Sequence, residues 1–119
     1  MYQKIIISCL LAFTVSSSAH SAAEYIKKTS LHGAAKRGDL SALDRHAKHN
    51  SSNINQQARP HGWTPLHYAA FYDHTACVEC LISYDADTTI KDKHGKTALD
   101  LARQKGYFLI VEIIEGHER

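Results

Sequence analysis

Gly62-Trp63-Thr64-Pro65-Leu66-His67-Tyr68-Ala69-Ala70 decides how this chain folds, because it reads almost residue by residue as the start of one short helix. The Thr64 hydroxyl can accept from an orphan backbone N–H, which makes it an N-cap. Pro65 suits the first helical position, where its fixed φ helps and its missing donor is not needed. Leu66, Ala69 and Ala70 fall at i, i+3 and i+4, a narrow face of small and apolar groups that lets another helix approach closely. His67 is placed to reach back to the Thr64 hydroxyl or forward to a neighbouring loop.

Working outward, Lys96-Thr97-Ala98-Leu99-Asp100-Leu101-Ala102 follows the same template 33 residues later, and Thr29-Ser30-Leu31-His32-Gly33-Ala34-Ala35 does so 35 residues earlier. The chain is a repeat array. Thr64-Pro65-Leu66-His67-Tyr68-Ala69 resembles the signature of the ankyrin repeat, whose period is about 33 residues. The resemblance covers about residues 29–119, with repeats at about 29–57, 58–91 and 92–119. It implies an all-α solenoid of about three stacked helix-turn-helix units with projecting β-turns.

The frame assigns further roles. Thr64 to Phe71 and Thr75 to Ser83 are the two helices of the central repeat. Arg45, His46 and Lys48 stand where the family usually places aliphatic residues, which suits an end repeat with one neighbour; the third repeat reads as the closing cap. The two extra residues before the central motif belong in loops, among Asn50 to Asn55 and around Pro60-His61. Gly38 and Gly106 keep the family's glycine at the end of the first helix, whereas Asp73 and Asp85 replace glycines. Both aspartates are expected to be left-handed, at a cost of about 1 kcal/mol each.

Before the repeats, Lys4 precedes an apolar run from Ile5 to Val15 and small residues up to Ala23. Residues 1–23 read as a secretory signal peptide, cleaved before Ala22 or Glu24, and the run is shorter than the roughly 18 residues a spanning helix needs. Residues 24–119 then form one small ankyrin-repeat domain, periplasmic or secreted, with no membrane insertion of the mature chain. Losing Lys4 brings charges close to balance, so no nucleic-acid or anionic-membrane preference follows.

Cys77-x-x-Cys80 invites a redox reading, and His74, Cys77 and Cys80 at i, i+3 and i+6 invite a metal. Both cysteines fall at buried positions of the second helix, which favours packing, and the remaining histidines are dispersed. No nucleophile, base and orienting group can be assembled, and no phosphate loop or zinc-protease motif occurs, so neither an enzyme nor a cofactor is expected. The resemblance implies a protein-binding module acting as a monomer through its concave face. The positions concerned are Trp63, Phe71 and Tyr72 in the central repeat, Lys36 and Arg37 in the first, and Lys93, His94, Lys96, Gln104 and Lys105 in the third. Aromatics within a basic rim favour a protein partner with an acidic surface. Alternatively, Trp63 and Phe71 only cover neighbouring repeats. Two other functions fit: an inhibitor or immunity-type protein that neutralises an exported enzyme or toxin, and a metal-binding or redox protein built on Cys77, Cys80 and the histidines.

Overall fold

A computed structural model describes residues 30–118; the expected leader, residues 1–23, lies outside the described residues, as do 24–29 and 119. Six helices form three pairs: α1 (Leu31–Arg37) with α2 (Leu40–His49), α3 (Pro65–Phe71) with α4 (Thr75–Ser83), and α5 (Ala98–Lys105) with α6 (Phe108–Glu118). None exceeds 11 residues, shorter than the 12–15 or so at which an isolated helix persists in water, so their order comes from stacking. First helices pack on first helices and second on second: α3 lies between α1 and α5, α4 between α2 and α6. Among the described residues the chain is all-α, with one isolated bridge between Ala58 and Trp63.

The small-residue face expected of the first helices is the seam of the stack. Ala34, Ala35, Ala69, Ala70 and Ala102 are wholly buried there, while Leu43, Val78, Leu81, Ile110 and Ile114 fill the layer beneath the second helices. Each first helix is capped by a hydroxyl: Ser30 accepts from the Gly33 N–H, Thr64 from His67 and Thr97 from Asp100. In the third repeat Asp100 occupies the place of His67 and closes its own cap, accepting from the Thr97 N–H.

The extra residues sit in loops. Ser51–Asn53 form a 3-10 turn. The reverse turn closed by Ala58 N–H and the Trp63 carbonyl is one residue longer than the one closed by Asp92 N–H and the Lys96 carbonyl.

Four helix ends turn through the left-handed region: Gly38 and Gly106 at φ 75° and 76°, Asp73 and Asp85 at 61° and 62°. Gly38 has a second reason to lack a side chain, since a Cβ there would meet the His74 ring at 2.5 Å. Asp73 is exposed, and α4 begins with no side-chain cap bond, so its carboxylate does not offset the backbone cost. Asp73→Gly should therefore raise stability by up to about 1 kcal/mol, reduced somewhat by a freer unfolded chain. Urea melts check this; a destabilised variant would mean that the carboxylate contributes more than its strain.

Candidate protein-binding groove

The ends of the first helices and the two projecting turns enclose one groove of about 530 Å³, lined by Lys36, Pro60, His61, Trp63, Tyr68, Phe71, Tyr72 and His94. Rings run along it in unbroken contact. Trp63 touches His61 at 5.0 Å, the edge of Tyr68 at 5.0 Å and Phe71 at 4.9 Å; Phe71 meets Tyr72 edge-on, and Tyr72 stacks on His74. The Lys105 ammonium lies 4.5 Å from the Phe71 ring centre, a cation–π contact that ties the third repeat to this row.

The turn side of the groove is fixed by bonds between repeats. Lys93 N–H donates to the His61 carbonyl at 3.1 Å. The Gln57 amide donates to the carbonyls of Gly62 and Lys91, at 2.9 and 2.8 Å. The Trp63 indole N–H donates to Asp92 at 2.9 Å, and that carboxylate also accepts from the backbone N–H groups of His94 and Lys96. Burial pushes the Asp92 carboxyl up, but the donors Lys96, Trp63 and His94 outweigh it and hold it below the usual carboxylate range.

Below this lies His67, 1% exposed. Its Nδ1 accepts from the Thr64 N–H at 3.1 Å, so the proton is on Nε2, which donates to the Lys96 carbonyl at 2.9 Å. One ring therefore caps α3 and holds the next turn. Burial lowers the pKa of His67, only partly countered by the bond to Lys96 and by Asp92. His32 makes the corresponding link to the Gln56 carbonyl at 2.6 Å, and His74 reaches the Lys36 carbonyl at 3.0 Å.

The family model for ankyrin repeats (3 copies) matches residues 31–117. The chain belongs to the ankyrin-repeat family. It is 34% identical over 86 residues to the ankyrin repeat protein YahD of Escherichia coli K12, covering 68% of this chain and 42% of that protein. It is 35% identical over 86 residues to the NAD-capped RNA hydrolase NUDT12 of Homo sapiens, covering 72% of this chain and 18% of the other. Inversin of Mus musculus is 36% identical over 84 residues, covering 71% and 8%. The chain thus spans less than half the length of each of these relatives, and what they share with it is the repeat segment. Ankyrin repeats are protein-interaction modules whose stacked units present extended concave binding surfaces.

Of the positions expected to bind, the ankyrin groove brings together Lys36, Trp63, Phe71, Tyr72 and His94, with Lys105 against Phe71. Arg37, Lys93, Lys96 and Gln104 are exposed but do not line it. Pro60, His61 and Tyr68 complete the lining. Tyr68 was legible as a position flanking Ala69 on the first helix, whereas Pro60 and His61 sit in the lengthened turn that the repeat template does not describe. Tyr72, 41% exposed, is more open to a ligand than Trp63, Tyr68 and Phe71 beside it, which are half-buried.

The cysteines behave as packing groups. Cys77 is buried and Cys80 half-buried, both free, and burial raises both thiol pKa values. His74 Nε2 is engaged by Lys36, and among the described residues no three His, Cys, Asp or Glu side chains gather as a metal site. Neither thiol has the depressed pKa of a reactive cysteine.

The near-neutral composition conceals a strong segregation. The first helices and the turns leading into them (31–37, 58–71, 91–105) hold eight of the ten described Lys and Arg and two acids, Asp92 and Asp100, both tied to N–H donors. The other nine acids, with Arg45 and Lys48, fall on the second helices and the turns on either side of them (38–57, 72–90, 106–118). The groove face is basic and the back acidic.

Proposed function

We propose that this ankyrin chain is an exported, non-enzymatic binding protein that works as a monomer in the periplasm or outside the cell and holds an acidic protein surface in its groove. The observation that carries the reading is the ring-lined groove, closed on its turn side by bonds between repeats, with Lys36 in its lining, Lys105 against Phe71, and Lys93 and Lys96 exposed on the turn that bears His94. A site already rigid before binding loses little entropy in complex formation. Aromatic anchors in a charged rim are the usual chemistry of protein hot spots.

Capture of partners from an envelope or culture-medium fraction, identified by mass spectrometry, provides the ligand for the decisive titration. Tyr72→Ala should weaken binding by about 2 kcal/mol with the fold retained, and Lys96→Ala should mainly slow association at low salt. Unchanged affinity for Tyr72→Ala would move the site off the groove. Export has its own check. Protein recovered outside the cytoplasm should begin near Ala22 or Glu24 by N-terminal sequencing, and a retained Met1 would replace cleavage with anchoring.

A further inference from the structure

The back of the stack carries a pattern in repeat register that the groove does not use. Shifts of 35 and 33 residues superpose Leu40, Thr75 and Phe108, the first residues of the second helices, and likewise Asp44, Glu79 and Glu112 one turn later. The same shifts superpose the left-handed Gly38, Asp73 and Gly106, so the register is structural as well as sequential. Residues four apart share a helix face, so each repeat sets an acid directly beside its leading residue.

This face is open and partly apolar. Phe108 is 82% exposed, Leu109 58% and Leu40 42%; with Tyr72 in the groove they are the large apolar side chains left exposed among the described residues. Leu40, Ser41, Asp44 and Cys80 line a cleft of about 460 Å³ between α2 and α4. Asp44 is braced by the Tyr84 hydroxyl at 2.7 Å and by Lys48 at 3.0 Å. Among the described residues neither Glu79 nor Glu112 forms an ion pair.

We propose that this back face docks an amphipathic helix of another protein, one that carries Lys or Arg at seven-residue spacing beside an apolar stripe. The charge sign follows from the acid row, and the stripe from Leu40, Phe108 and Leu109. The spacing follows from the stack. Packed helices stand about 8–10 Å apart, and seven residues of α-helix advance about 10.5 Å, so three basic residues two turns apart meet three acids one repeat apart. An extended strand covers that distance in about three residues, but successive contacts would then point to opposite sides. The two faces therefore select opposite partners, and one chain can bridge a basic helix to an acidic surface.

The probe is a labelled model helix of about 15 residues, with lysines at i, i+7 and i+14 flanking a leucine stripe, titrated by fluorescence anisotropy against the full chain. Glu79→Lys and Phe108→Ser should each lower affinity about tenfold, and Lys48→Ala, which removes the cation paired with Asp44 and leaves the Tyr84 hydroxyl as its donor, should raise it two- to threefold. Tyr72→Ala should leave it unchanged, and a scrambled peptide of the same composition should bind about tenfold more weakly. Circular dichroism controls for folding, and if Phe108→Ser unfolds, Glu79→Lys decides. Equal binding by the scrambled peptide, no saturable binding, or a loss confined to Tyr72→Ala would overturn the proposal; failure here leaves the groove reading untouched.

Discussion

His67→Ala should cost the fold about 3–4 kcal/mol, a large part of the 5–15 kcal/mol a domain of this size possesses. The ring is buried, so its removal leaves a cavity, and three partners lose their contact at once. The Thr64 N–H and the Lys96 carbonyl are left unsatisfied in the interior, each at about 1–3 kcal/mol, while the Thr64 hydroxyl loses its 2.8 Å contact to Nδ1. Because the Lys96 carbonyl belongs to the next repeat, the damage spreads along the stack. Urea melts followed by circular dichroism give the number, and a loss below about 1 kcal/mol would mean that water or a shifted turn replaces the ring.

The same residue fixes the sign of an acid effect. Burial lowers the pKa of His67 and of His32, in each case against the opposing pull of the backbone carbonyl it bonds. Protonation would also place a second hydrogen on Nδ1, against the Thr64 N–H. Above the ordinary histidine value of 6.5 both folded and unfolded chains hold these rings neutral, and stability is at its full value. As pH falls below 6.5 the unfolded chain takes up protons that the folded chain refuses, so stability declines until the folded pKa is reached. His67→Ala should accordingly show a shallower loss of stability on acidification than the parent.

How much of this was legible depends on the range over which each feature is specified. The helix starts, the left-handed aspartates and the alanine seam are set within a few residues by capping chemistry and period, so Thr64-Pro65-Leu66-His67 was enough to place them. His67 could be given both its directions of bonding, back to Thr64 and forward to a loop, because a helix N-terminus leaves it no others. The groove is different. The Trp63–Asp92 and His61–Lys93 bonds span about one repeat and depend on the exact course of two turns, one of them lengthened by a residue. Asp92-Lys93-His94-Gly95 has the composition of a turn, but nothing local announces that the second oxygen of Asp92 takes an indole N–H. The charge segregation was likewise hidden by a nearly balanced composition and emerges only when residues are sorted by helix face.

That bond changes what Trp63→Ala reports. On sequence grounds the substitution should weaken partner binding with the fold intact; in the structure the indole also packs against His61, Tyr68 and Phe71 and satisfies part of Asp92. Trp63→Ala should therefore cost about 3 kcal/mol of stability, the low end for tryptophan truncation because the ring is half-buried, as well as affinity for the partner. Trp63→Phe separates the two effects: it keeps a ring in the row but removes the N–H donor, leaving Asp92 with its two backbone donors, and should cost about 1–2 kcal/mol. Combining it with Asp92→Asn closes a double-mutant cycle. A coupling of about 1–2 kcal/mol in urea melts would establish that the indole-carboxylate bond holds the second turn against the groove. Strict additivity would instead make Trp63 a packing residue whose N–H contributes nothing, and Trp63→Phe would then leave both the turn and partner affinity as they were.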